Sequence, residues 1–496
     1  MARMNRREFL SAAGFAGLAP HVAGHVIASR AAGAAAADET QSPRADTRPS
    51  ILFAIADDWA WPHAGVYGDK VVKTPTFDRL AREGVLFNRA YCASPSCSPS
   101  RASILTGQMF WRLQEGANLW STLSRRFEVY PDLLEAAGYV VGFQGKGWGP
   151  GDFKAGGWDR NPAGAAFKNF AAFLNTVPQG RPFCFWFGSH DPHRPYEKGS
   201  GLTGGKRRQD VHVPPFLPDS SEVRGDLLDY YFEVERFDRD AQGMLALLEK
   251  AGRLDSTIVV MTGDNGIPFP RAKTNLYDCG VHQTLAVRWP ARAKGGRVVD
   301  DFISFTDFAP TFLEAAGLKP RPDMTGRSFL DILTGDKAGR VDPARDRVFV
   351  GRERHTNRRE GGVGYPCRAI RTDDYLYIRN FKPDRWPAGD GEDYGDIDGG
   401  PTKTFMMQNR SAPEVKPLFH LAFEKRPAEE LYDLKKDPGE LTNAADLGEY
   451  AQVKKRLADD LMHHLAATKD PRASGKGDEF DRYPYGGGGP AGRRGR

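Results

Sequence analysis

Short apolar runs, each followed by a polar cluster and then by helix-spaced apolar positions, recur along the chain from Ile51 onward. That alternation predicts an α/β fold. Residues 51–56 contain no polar position, as expected of a strand covered on both faces. Residues 183–187 and 257–261 read the same way. Thr74-Pro75 supplies an N-cap and a first-turn proline for a helix carrying Phe77, Leu80 and Ala81, closed by Gly84. Residues 310–316 predict another helix, stopped at Gly317. Farther on, residues 369–380 alternate as strands do, with Asp373-Asp374 at a turn, and 448–467 predict an amphipathic helix.

Composition changes along the chain divide it. Residues 38–49 read as a polar linker, and 331–347, with Gly335, Gly339 and Pro343, as a boundary. The expected organisation is a catalytic domain over 50–335, a C-terminal subdomain over 345–470 and a disordered tail over 471–496. Forty per cent hydrophobic and 27% charged is globular composition. The formal charge of +5 sits at the two ends, in Arg3, Arg6, Arg7 and Arg30 and in the basic tail, leaving the body near neutral. Nothing global therefore argues for nucleic acid. Asn5-Arg6-Arg7-Glu8-Phe9-Leu10 resembles a twin-arginine motif, ahead of a weakly apolar stretch and an alanine run at 34–37. Residues 1–37 are thus expected to be an export signal to the periplasm or beyond. Pro20, His21 and His25 make that stretch too polar for stable membrane insertion.

Polar residues follow the ends of three predicted strands: Asp57-Asp58, then His190-Asp191-Pro192-His193, then Asp264-Asn265. In open α/β sheets that edge binds ligands. Asp57, Asp58, Asp264 and Asn265 offer oxygen donors alone, which suits a hard cation, Ca²⁺ before Zn²⁺.

Ser94-Pro-Ser-Cys97-Ser-Pro-Ser-Arg101, continuing to Thr106-Gly107, resembles the signature of the type I sulfatases. Thr74 to Gly84, Gly263-Asp-Asn-Gly266, Val287-Arg-Trp-Pro290 and Glu430-Leu-Tyr-Asp433 are similar to further landmarks of that family. Its sulfamidase branch is approached most nearly by His190-Asp-Pro-His-Arg194, by Gly263 to Pro270 with Thr274-Asn-Leu-Tyr277, and by Tyr365-Pro366 with Arg368. The resemblance implies an alkaline-phosphatase-like large mixed sheet between helices, with a smaller C-terminal domain holding an antiparallel sheet. It implies that a formylglycine-generating enzyme oxidises Cys97 to formylglycine, whose hydrate attacks sulfur, splitting one hard step into two easier ones. Residue 97 would then join Asp57, Asp58, Asp264 and Asn265 around one Ca²⁺. Carried over by position, Arg101, Lys146, His190 and Lys273 are the catalytic and sulfate-holding residues. His193, Glu353, His355 and Arg368 are expected to contact a sulfated carbohydrate.

The chain departs from the family pattern at Lys146-Gly147-Trp148, where Lys-X-His is usual. His63 or His282 could stand in for the missing histidine, or both could be structural. With Cys97 consumed, Cys92, Cys184, Cys279 and Cys367 could form up to two disulfides. The implied activity is hydrolysis of N-sulfoglucosamine in heparin- or heparan-type saccharides. The alternatives are an O-sulfatase on another sulfated glycan or small ester, a phosphoryl-transferring relative, and an inactive sulfoglycan-binding protein.

Overall fold

The computed structural model describes residues 47–487. The expected signal 1–37, most of the linker and residues 488–496 lie outside them. Eight strands form the main sheet: β1 (Ser50–Ala56), β2 (Val85–Phe87), β3 (Val140–Gly145), β4 (Ala165–Ala166), β5 (Phe183–Gly188), β6 (Thr257–Gly263), β7 (Leu285–Arg288) and β8 (Arg297–Val299). Their order is β8-β2-β7-β6-β1-β5-β3-β4. Only β7 runs antiparallel to both its neighbours, so the sheet is mixed.

The two-residue period of a strand explains why β1 is apolar throughout. Ile51, Phe53 and Ile55 enter one core layer with helices α2 (Cys97–Thr106) and α4 (Phe308–Ala315). Leu52, Ala54 and Ala56 enter the other, against α1 (Pro75–Glu83) and the 30-residue α3 (Ser221–Lys250). The first two amides of α1 with free N–H groups, at Thr76 and Phe77, are capped by Asp238 of α3 at 3.0 and 2.9 Å.

A second, antiparallel sheet has the order β9 (Arg347–Arg352), β10 (Cys367–Thr372), β11 (Tyr375–Asn380), β12 (Glu429–Asp433). The β10–β11 turn falls at Asp373-Asp374, as the sequence predicts. One face, with Val348, Val350, Ala369 and Ile378, joins the main core. The other, with Ile370, Tyr377 and Leu431, is covered by α5 (Ala451–Ala467) through Leu457, Leu461 and Leu465. The described residues form one compact unit. Segment 331–347 therefore marks a change of sheet within continuous packing, tied down by Arg297 to the carbonyls of Ile332 and Lys337, both at 3.0 Å.

Residues 471–487 of the tail depart from the expected disorder. Pro471–Ser474 and Gly477–Asp481 form 3₁₀ turns, and Phe480 is buried in the layer beneath α5. Its glycine run misleads because the anchoring groups, Arg472 and Phe480, lie upstream of it. All five cysteines are free, so neither disulfide forms.

Candidate active site

The parallel strands deliver their polar residues to one edge. Asp57-Asp58 follow β1, Lys146 follows β3, His190 follows β5 and Asp264-Asn265 follow β6. Close backbone approach at this edge requires glycine. A Cβ on Gly188 would lie 1.7 Å from the Lys146 carbonyl, and one on Gly263 would lie 1.7 Å from that of Trp59. Asp58 itself sits at φ +74°, a left-handed conformation that Asp tolerates better than most residues.

Cys97 is the first residue of α2, and every residue of that helix is buried. Potential ligand atoms of Asp57, Asp58, Cys97 and Asp264 all lie within 4.8 Å of one another. The Cys97 thiol donates to Asp57 Oδ1 at 3.3 Å. Asp264 Oδ1 accepts from the Asp58 amide at 3.0 Å, and Asn265 Nδ2 donates to Asp58 Oδ1 at 2.7 Å. That leaves Asn265 Oδ1 buried with no partner. An orphaned buried oxygen beside three carboxylates fits a hard cation, so the residues present can hold the metal that the sequence implies.

Three cations balance the carboxylates. Lys146 Nζ donates to both oxygens of Asp57 at 2.7 Å. Arg101 Nε donates to Asp264 Oδ2 at 2.7 Å, while its Nη2 is buried without a hydrogen bond, 4.0 Å from Asp57 Oδ1. Lys273 Nζ donates to Asp58 Oδ2 at 2.8 Å. Burial alone would raise Asp57, but Lys146 and its fellow cations hold it well below the carboxylate range. Burial, reinforced by Asp57, pushes the Cys97 thiol well above its ordinary value. Such a thiol is a poor nucleophile.

His190 is exposed at the mouth, and burial of part of its ring lowers its pKa despite the opposing pull of Asp57. Asp191 turns away to accept from Arg236 Nε at 2.6 Å. His193 Nε2 stands 3.9 Å from Asp58 Oδ2. His355 reaches the site from beyond β9, its Nδ1 sharing a 2.8 Å hydrogen bond with Ser96 Oγ.

Two expected substrate contacts are corrected. Glu353 and Arg368 are fully buried and paired with each other at 2.8 Å. Arg472 closes on Glu353 at 2.8 Å and Asp470 on Arg368 at 2.6 Å. The strand period turns Arg368 toward the face that α5 and the tail cover, away from the cluster. Neither proposed stand-in for the absent histidine reaches residue 97. His63 lies between Tyr230 and Tyr231 with Asp69 at 3.6 Å. His282 is stacked between Trp61 and Tyr91 and bonded to the Asn88 carbonyl at 2.7 Å. Trp148, at the histidine's position, is buried in the core with its amide held by Asn161 at 2.9 Å.

The family described as Sulfatase matches residues 49–160 and 155–318. The chain belongs to the sulfatase family. This sulfatase also matches, over residues 271–393, the family described as N-sulphoglucosamine sulphohydrolase, C-terminal. It is 31% identical over 482 residues to the human (Homo sapiens) N-sulphoglucosamine sulphohydrolase, covering 86% of this chain and 92% of that one. An ulvan-active sulfatase of Formosa agariphila is 28% identical over 473 residues, 85% of this chain and 76% of its own. A solved structure described as a complex with its substrate D-glucosamine-2-N,6-O-disulfate aligns at TM-score 0.62 and 21% identity, covering 85% and 98% of the two chains. The sulfatase fold is thus the alkaline-phosphatase-like one, with its mixed sheet and smaller antiparallel sheet. Sequence reasoning missed Asp398, whose Oδ2 accepts from Lys273 Nζ at 2.9 Å. It lies in an irregular stretch that offers no periodic signal.

Proposed function

We propose that this sulfatase hydrolyses the sulfamate of N-sulfoglucosamine in heparin- or heparan-type saccharides, with Cys97 in its formylglycine form and one Ca²⁺. The observation that carries the substrate is the match of residues 271–393 to the N-sulphoglucosamine sulphohydrolase C-terminal family, because those residues include Lys273 and His355 beside the cluster. Asp57, Asp58, Asp264 and Asn265, with residue 97, would hold the cation, which when bound supplies Lewis acidity toward a sulfate oxygen. Formylglycine supplies an oxygen nucleophile where the buried thiol supplies no thiolate.

The remaining chemistry belongs to this chain's own side chains. Arg101, Lys146 and Lys273 place three positive charges around the cluster, and Arg101 Nη2 is left to bind an anion. These charges are fixed by the carboxylates before substrate arrives, the preorganisation that electrostatic catalysis needs. The departing amine of a sulfamate must gain a proton. His190, exposed at the mouth, is the group to donate it.

Among the described residues no helix is long and apolar enough to cross a membrane. Export through the twin-arginine motif, to the periplasm or beyond, belongs to this proposal, as does maturation by a formylglycine-generating enzyme. The second reading, an O-sulfatase, draws on the nearly equal identity to the ulvan-active relative. Sulfate release from N-sulfoglucosamine, glucosamine 6-sulfate and an aryl sulfate decides between them. Cleavage of the 6-sulfate but not the N-sulfate would overturn the sulfamidase reading.

A further inference from the structure

Asp398 belongs to the segment that joins β11 to the helix Pro401–Gln408. Its neighbour Asp396 anchors that segment by accepting from Arg352, Arg359 and the Thr356 amide. Lys403 Nζ holds the Ile397 carbonyl at 2.9 Å. Asp398 is therefore built into place, not a mobile surface acid.

Potential ligand atoms of Asp398, Asp58 and His193 lie within 4.8 Å of one another, which puts Asp398 at the rim of the catalytic cluster. Its side chain is 27% exposed, whereas that of Asp58 is 0% exposed. His193, whose side chain is 36% exposed, shares that rim. Lys273 Nζ is shared between the two acids, at 2.8 Å from Asp58 and 2.9 Å from Asp398. An ammonium has three N–H groups, and two of them are fixed by these bonds. The third is left for substrate, in a direction that the two carboxylates set.

We propose that Asp398 positions Lys273 and selects the substrate, its carboxylate accepting from a sugar hydroxyl or amide beside the cleaved sulfate and repelling a second anion there. Asp398 Oδ2 is taken by Lys273, and Oδ1 is the oxygen available to the sugar. An ionised carboxylate only accepts hydrogen bonds, so it favours a ring rich in donors and disfavours a neighbouring sulfate or carboxylate. An aryl sulfate offers no such donor and gains nothing from it. The inference rests on the reading of this site as a carbohydrate sulfatase, but not on the sulfate being attached to nitrogen.

The test compares wild type with Asp398→Asn on N-sulfoglucosamine, N,6-O-disulfated glucosamine and an aryl sulfate. Asparagine keeps the shape and can still accept from Lys273, but it loses the charge. All three rates should fall somewhat as Lys273 loosens. The sugar-to-aryl ratio of kcat/KM should fall a further ~10- to 100-fold, mostly through KM, as expected for a lost charged hydrogen bond. The preference for the monosulfated over the disulfated sugar should shrink as well. Equal losses on sugar and aryl substrates, with that preference unchanged, would overturn the proposal and leave Asp398 as a counter-ion. If wild type cleaves an O-sulfated sugar instead, the functional reading above fails, and the same ratio measured with that sugar still decides the role of Asp398. Wild type that cleaves aryl sulfate but no sugar sinks both. Asp398→Ser serves as the second variant should Asp398→Asn fail to fold.

Discussion

Ser96 Oγ is hydrogen-bonded to His355 Nδ1 at 2.8 Å, not to the helix it precedes. Pro99, in the first turn of that helix, has no N–H to cap, so the hydroxyl is free for a distant partner. The bond ties the start of the catalytic helix to the second sheet. Burial holds His355 down at about 3, so its ring stays neutral at any working pH. His355→Ala should therefore cost stability, about 1–3 kcal/mol for the unsatisfied buried hydroxyl, and lower kcat without adding a new pH limb. Denaturant unfolding and a pH–rate profile check both.

Cys97→Ala should abolish turnover while leaving the fold intact, since a covalent nucleophile contributes several orders of magnitude in rate. Mass spectrometry of the peptide containing residue 97 should show the aldehyde in active wild-type protein. Wild-type rates in the alanine variant would refute the mechanism.

Chelation should remove activity, and Ca²⁺ should restore it better than Zn²⁺, because the donors beside residue 97 are oxygens. Elemental analysis finding stoichiometric zinc and no calcium would contradict this.

A general acid works only while protonated. Because burial lowers the pKa of His190 below the ordinary histidine value, its acid form is lost as pH rises through that lowered value. For N-sulfoglucosamine, kcat/KM should climb toward acid pH and level off below it. His190→Ala should lose that limb and about 10²–10⁴ in rate. The loss on an aryl sulfate, whose leaving group needs little protonation, should be much smaller.

Glu353→Gln removes a carboxylate on which two buried guanidiniums close, Arg368 and Arg472. Breaking a buried pair in this way costs about 3–5 kcal/mol. The unfolding midpoint should drop while KM stays at the wild-type value. A raised KM with unchanged stability would return Glu353 to the substrate site.

Elements with an uninterrupted pattern were legible. The expected strand over 51–56 is β1, the helix opened by Thr74-Pro75 is α1, and the turn at Asp373-Asp374 joins β10 to β11. Cys97, Asp57, Asp58, Asp264, Arg101, Lys146 and Lys273 do converge, because strand ends and a motif marked them. Burial partners were not legible. Arg368 reads as a free cation until Asp470, 102 residues away, is seen to neutralise it. Asp398 is the converse case, an acid in irregular chain whose importance appears only when Lys273 is found beside it.

Cys97 is 2% exposed, enclosed by Asp57, Asp58 and Asp264. On the proposed formylglycine reading, an oxidising enzyme would have to reach a side chain that the folded helix start encloses. Oxidation would then come before the helix start closes over residue 97. Together with the proposed export of folded cargo, that would set an order of events in which the residue is modified, sealed in and only afterwards exported.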